Sequence, residues 1–296
     1  MRILISGARG LLGAQISRHL GANGHLVVPL ARRASSEQGV VVWRPEKGDI
    51  DRSQLSGFDA VIHLAGEPIR GLWTSAKKQA IKDSRIQGTT LLARTMAELG
   101  DPPRAFLCAS ATGYYGDQGE AIVDETCPAG TNFLAHVCQQ WEEACRPASE
   151  AGIRVVHLRL PPVLAREGGM LQTMLPLFRL GLGGRLGSGR QWQSWIEISD
   201  VVAAVVFLLD HPVQGPVNLS APEPVRNDEM TRLLATLLRR PAIFHVPEWV
   251  LRALLREMAE NLILTSCRAR PEKLLAAGFQ FQNSTMANAL SSILIA

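Results

Sequence analysis

A doubly wound α/β fold with a smaller C-terminal lobe is the architecture this 296-residue sequence predicts. Three observations carry the prediction. Over the first 160 residues, short apolar runs alternate with amphipathic stretches, the rhythm of strand-helix-strand units. The runs are apolar nearly throughout, as strands covered by helices on both faces of a parallel sheet must be. Three glycines, Gly7, Gly10 and Gly13, follow the first run directly and open the first helical stretch.

The elements follow in order. RILIS is the first strand, LLGAQISRHLGANG the first helix, HLVVPLA and VVVW the second and third strands, and DAVIHLAG the fourth. A long helix spans about 75–99, RAFLCAS is the fifth strand, a helix covers about 133–151 and IRVVHLRL is the sixth strand. Beyond residue 161 the rhythm loosens into a Gly-rich stretch, RLGLGGRLGSGRQW, then a helix from about 200, a strand GPVNLS, and helices near 227–239, 247–260 and 271–277. The division expected is a nucleotide-binding domain over 1–225, with substrate-loop insertions from about 161, and a helical segment over 226–296 that completes the substrate lobe. Trp141, Trp195 and Trp249 lie on apolar patterns and are assigned to the core, and Ser199 is the expected N-cap of the helix behind it.

Composition narrows the function classes. The chain is 46% hydrophobic and 20% charged, with a formal charge of +4 and scattered rather than clustered Lys and Arg. That argues for anionic small ligands and against nucleic acid. Five cysteines show no CxxC pair and no zinc-site spacing, so no metal is expected and a reduced cytoplasmic chain is the simplest account. A strand beginning at residue 2 leaves no signal peptide, and VVAAVVFLL is too short to span a bilayer.

The glycine loop carries the most specific chemistry. Glycine at the turn lets the backbone bend, and the next glycine lets a pyrophosphate reach the amides. The last lets helix pack on strand, while the helix N-terminus favours the anion. In its strand-turn-helix setting the loop reads as the dinucleotide site of a Rossmann-like sheet. An NAD site would carry a carboxylate at the end of the second strand to accept from the ribose 2′-hydroxyl. This sequence has Arg32 and Arg33 there, which suit a 2′-phosphate and predict NADP.

The GxxGxxG spacing, together with VIHLAGE after the fourth strand, resembles the extended, epimerase-like branch of the short-chain dehydrogenase/reductase superfamily. LAGEPI, DSR at 83–85, SATGYYGDQGE, FRLGLGG, GSGRQW, WIEISD and PVRNDEM are similar to an atypical epimerase-like group with a small C-terminal domain of unknown function. RARPEKLLAAGFQF is similar to the signature of that terminal domain. The resemblance implies cofactor contacts from the glycine loop, Arg32, Leu64, Ala65 and Arg85. With the flanking positions, the expected cofactor set is Gly7, Arg9, Gly10, Leu11, Leu12, Gly13, Arg32, Arg33, Leu64, Ala65, Gly66, Arg85 and Arg159.

In that superfamily a Ser or Thr ends the fifth strand, and a Tyr-x-x-x-Lys pair on the next helix trades a proton with the substrate as hydride moves. Ser110 fits the serine. Phe133 stands where the tyrosine would be and Val137 where the lysine would be, and neither transfers protons; His136 points about 100° away and is read as a surface or partly packed residue, with a substitute acid/base role as the alternative. Tyr114 and Tyr115, on the loop after the fifth strand, are the remaining candidates for the lost role, with space-filling as the alternative for one or both. Glu67, Arg185, Arg190, Trp192 and Glu197 are the candidate substrate contacts, each weighed against an ordinary loop or edge role. Two functions stand: an NADP-dependent oxidoreductase or epimerase acting on a small polar substrate, or a nucleotide-binding or redox-sensing interaction protein that kept the cofactor site. A monomer and a homodimer are both compatible with the sequence.

Overall fold

A computed structural model describes residues 1–33 and 39–295. Eight strands form its central sheet: β1 (Arg2–Ser6), β2 (Leu26–Ala31), β3 (Val41–Arg44), β4 (Asp49–Ile50), β5 (Ala60–His63), β6 (Ala105–Ala111), β8 (Arg154–Leu160) and β13 (Gly215–Asn218). Across the sheet they run in the order β13-β8-β6-β5-β1-β2-β3-β4. All pair in parallel except β4, which returns antiparallel on β3. Chain order reverses between β1 and β5, and the carboxyl ends of those two strands flank the crevice where such sheets take their ligands.

The apolar strand runs divide between two layers. Ile3, Ile5, Ile62, Leu107, Leu158 and Val217 pack against α1 (Leu11–Ala22) and α6 (Ile198–Asp210). Leu4, Val28, Val61, Phe106 and Val155 face α2 (Ser75–Ala97), α3 (Phe133–Glu143) and α4 (Arg146–Glu150). Each large side chain buried this way contributes about 1.5–3 kcal/mol. The helix expected over 133–151 is two: Pro147, lacking an N–H, begins a new turn rather than continuing α3.

A third core joins α5 (Leu171–Arg179), α7 (Asn227–Leu238) and α10 (Met286–Ile295) around Trp195. Neither α5 nor α10 stands out in the sequence pattern; Pro176 interrupts the first, and the second is short and apolar. Short pairs stitch the lobe together: β7 (Ile122–Val123) with β16 (Arg268–Ala269), β9 (Val163–Leu164) with β12 (Ile196–Glu197), β10 (Gly184–Leu186) with β15 (Phe244–Val246), and β11 (Trp192–Gln193) with β14 (Val225–Arg226). The C-terminal chain also enters the main core, where Leu274 of α9 (Glu272–Ala276) and Phe279 join the α6 layer.

The helix expected over 247–260 ends early. α8 (Glu248–Leu255) stops where Arg256 takes φ 51 and ψ −131, and a π turn follows at Ala259–Ile263. Trp249 is 71% exposed, so it is no core residue; its helix buries Leu251 alone. Trp141 and Trp195 are buried as expected. Among the described residues no helix is long and apolar enough to cross a membrane.

Candidate cofactor and substrate site

The glycine loop folds as its spacing requires. Gly7 has φ 72, and a Cβ there would lie 3.0 Å from the backbone of Leu64 and Ala65. At Gly13 a Cβ would come within 2.1 Å of the Gly7 carbonyl oxygen, so any side chain would drive α1 off the strand. Gly10 N-caps α1 with no side-chain hydrogen bond and no acidic residue in the first turn. In α2 and α3, by contrast, Thr74 and Asn132 occupy the amides. The first-turn N–H groups of α1 therefore keep their capacity for an anion.

Ser6 ties the loop to β5. Its oxygen accepts from the amides of Leu64 and Ala65 at 3.1 and 3.2 Å, and its hydroxyl lies 2.5 Å from His63 Nδ1. An oxygen that accepts twice donates its O–H to His63 Nδ1, so that nitrogen carries no proton and the imidazole is neutral. Burial, then the charge of Arg85, pushes the His63 pKa down to about 3. The ring is held between Trp43, edge to face, and Phe106.

A cavity of about 710 Å³ opens beside this loop. Gly7, Arg9, Ala65, Gly66 and Glu67 line one side of it, and Leu30, Arg32, Val40 and Trp43 the other. Of the expected cofactor set, Leu64 packs into the core next to it and Arg85 lies 3.4 Å from where a Gly66 Cβ would sit. Arg85 donates to the Glu67 and Ile81 carbonyls and stacks over Trp141. Leu11 lies against Gly168, Leu12 packs into the core, and Arg33 is exposed outside the cavity lining. Glu67 pairs with Lys77 at 2.6 Å.

Arg159 is elsewhere. It is 2% exposed and binds Glu142 of α3 in a two-pronged ion pair, Nε to Oε1 at 2.9 Å and Nη2 to Oε2 at 2.8 Å. Ser110, its in-register neighbour on β6, donates to the same Glu142 oxygen at 2.7 Å. Arg159 also donates to the Tyr115 hydroxyl, which donates to Asn218 on β13, and its guanidinium carbon sits 3.4 Å over the Tyr114 ring. Tyr115 is fully buried, and burial drives its pKa upward despite the adjacent arginine. Burial works against the Arg159 charge, but the bonds and charge of Glu142 outweigh it, so its pKa is raised. Ser110 and Tyr115 thus meet in one buried polar network under α3, with half-buried Tyr114 contributing only its ring face to Arg159, and none of the three lines the cavity at the glycine loop. Glu142, the centre of that network, carries no signal in the sequence beyond its helical position.

The expected substrate residues are dispersed. Trp192 donates to Glu120 and is stacked by Arg226 and Arg268. Arg185 is exposed on β10 and Arg190 on the loop that follows it. Glu197 caps α6 by accepting from the Ser199 amide, so the cap is Glu197 rather than Ser199. It lines a separate groove with Gln15, Asn283 and Ser292. His136 is exposed. No cluster of three or more His, Cys, Asp or Glu side chains fit to hold a metal occurs among the described residues.

The NAD-dependent epimerase/dehydratase model matches residues 3–220. The chain belongs to the NAD-dependent epimerase/dehydratase family. A domain of unknown function, DUF1731, matches residues 246–293. An epimerase family protein of Mycobacterium leprae is 41% identical over 98% of this chain and 94% of its own length. The chloroplastic SDR39U1 homologue of Arabidopsis thaliana is 34% identical over 99% and 87%. Among solved structures, the human epimerase family protein SDR39U1 with NADPH superposes with a TM-score of 0.92 at 31% identity, covering 100% of this chain and 99% of that one. A UDP-glucose 4-epimerase of Thermotoga maritima, at 16% identity and a TM-score of 0.77, shares the fold.

Proposed function

We propose that this family member binds NADPH and uses it as an oxidoreductase or epimerase on a small polar substrate. The observation that carries the reading is Arg32, which follows the carboxyl end of β2 and lines the cavity in the place where an NAD site needs a carboxylate. A guanidinium there pairs with a 2′-phosphate through charge-assisted hydrogen bonds. Trp43, Leu30 and Val40 supply apolar walls for an adenine ring, and the uncapped start of α1 supplies amides for the pyrophosphate. Arg85, beside the cavity-lining Gly66, adds a half-buried cation available to a bound cofactor in a chain that has Val137 where the superfamily carries its lysine. The human relative's NADPH is consistent with this choice. A bound nicotinamide would supply or accept hydride; the chain's own residues position it and exclude water.

A charge-assisted contact of about 1.5–3 kcal/mol corresponds to roughly 10- to 100-fold in affinity. Titration of the protein with NADPH and NADH, followed by nucleotide fluorescence, is expected to favour NADPH by that factor. Arg32→Glu is expected to abolish the preference. Equal affinities in the unmodified protein overturn the reading. The second function, a cofactor-binding interaction protein, is favoured by Val137, buried where a lysine would otherwise act.

A further inference from the structure

Phe133, at the head of α3, stands where this superfamily places its tyrosine, and the structure surrounds it with groups that the cofactor site does not use. Trp73 meets its ring edge to face with centroids 5.4 Å apart. Lys78, one turn into α2, reaches over the ring face with Nζ 4.5 Å from the centroid. The same ammonium donates to both carboxylate oxygens of Glu257, at 2.9 and 2.8 Å, across 179 residues of chain. Both side chains stay accessible, 31% and 39% exposed.

Two further observations mark Glu257 as more than a surface partner. The residue before it, Arg256, holds a positive φ of 51 with ψ −131, a conformation that costs a non-glycine residue stability and persists where the surroundings enforce it. The π turn that follows carries Asn261, which is 9% exposed. Its Nδ2 donates to the Glu257 carbonyl at 2.8 Å, while its buried Oδ1 has no hydrogen-bond partner. A strained residue, a π turn and an orphaned acceptor thus lie on the same short segment whose carboxylate holds Lys78, more structure than a surface ion pair requires.

We propose that Lys78 is the proton donor to the substrate oxygen, in the role Phe133 has vacated, with Glu257 as the positioning residue that holds the ammonium over the ring. The inference rests on the NADPH reading above. In the reducing direction the carbonyl carbon accepts hydride, the C=O π pair moves onto oxygen, and Lys78 Nζ gives that oxygen its proton. The products are an alcohol, NADP⁺ and a neutral amine, which recovers its proton from water. The substrate is then a carbonyl compound with an apolar surface for the Phe133 and Trp73 rings beside the reacting oxygen.

The test uses 4-nitrophenol as a probe of oxyanion stabilisation, added to the full-length protein saturated with NADP⁺, with the phenolate band recorded against pH. An ammonium at the oxygen lowers the probe's apparent pKa on binding. Relative to the parent protein, Lys78→Met is expected to raise that pKa by at least one unit and to weaken phenolate binding about tenfold. Lys78→Arg keeps the charge and is expected to restore most of both effects; Glu257→Gln is expected to fall between. The same probe titration in the parent and in Lys78→Met, or a parent that binds NADP⁺ and no phenolate, overturns the proposal. Failure to bind NADP⁺ or NADPH at all, measured separately by fluorescence, overturns the cofactor reading instead.

Discussion

Replacing Glu142 by glutamine tests the buried network most directly. The amide would keep the shape and could still accept from Ser110, but it removes the charge that balances Arg159. The two side chains are only 12% and 3% exposed, so water cannot take over the pairing and salt screens it little. Breaking a buried pair by removing one partner costs about 3–5 kcal/mol. For a chain of this size each kcal/mol lowers the melting temperature by about 2 °C, so Glu142→Gln is expected to melt roughly 6–10 °C lower. Arg159→Met should also destabilise, because it leaves Glu142 with Ser110 alone. The double variant removes both charges, and its loss is expected to fall at least about 2 kcal/mol short of the sum of the singles. Urea unfolding followed by circular dichroism measures all three. A Glu142→Gln loss below about 1 kcal/mol, or strict additivity in the double variant, would refute the reasoning.

Other outcomes follow from the same geometry. Gly13→Ala places a methyl 2.1 Å from the Gly7 oxygen, so the loop must shift; NADPH affinity is expected to fall at least tenfold, and unchanged binding in the fluorescence titration would count against the loop as the cofactor cradle. His63 is neutral in the folded chain down to pH about 3, whereas its unfolded counterpart takes a proton near pH 6.5. Between those values the unfolded state binds more protons, so stability falls as pH is lowered, by up to about 1.4 kcal/mol per pH unit. Burial lowers His157 in the same direction. His63→Phe, which keeps an aromatic ring between Trp43 and Phe106 without a titrating nitrogen, is expected to flatten the slope of unfolding free energy between pH 6 and 4; an unchanged slope would show that the imidazole is not the acid-sensitive group.

Features that obey local rules are legible along the chain. Strand-helix alternation sets the parallel sheet, because covered strands must be apolar on both faces. The spacing of Gly7, Gly10 and Gly13 sets the nucleotide loop, because each glycine answers a short-range steric demand. Arg32 can be placed at the cavity from its distance along one βα unit. The depth of Trp249 cannot, since an amphipathic pattern says which face is apolar and not whether anything covers it. Nor can the fate of the tyrosines. Tyr114 and Tyr115 follow the right strand, but whether they face a ligand depends on Glu142 from α3, Arg159 from β8 and Asn218 from β13. Those residues are up to about a hundred positions away, and only packing brings their charges and donors together. The same holds for Lys78 and Glu257, 179 residues apart. Backbone geometry is written in neighbouring residues, whereas the pairing of buried polar groups is decided by a sheet order and a lobe closure that no local pattern encodes.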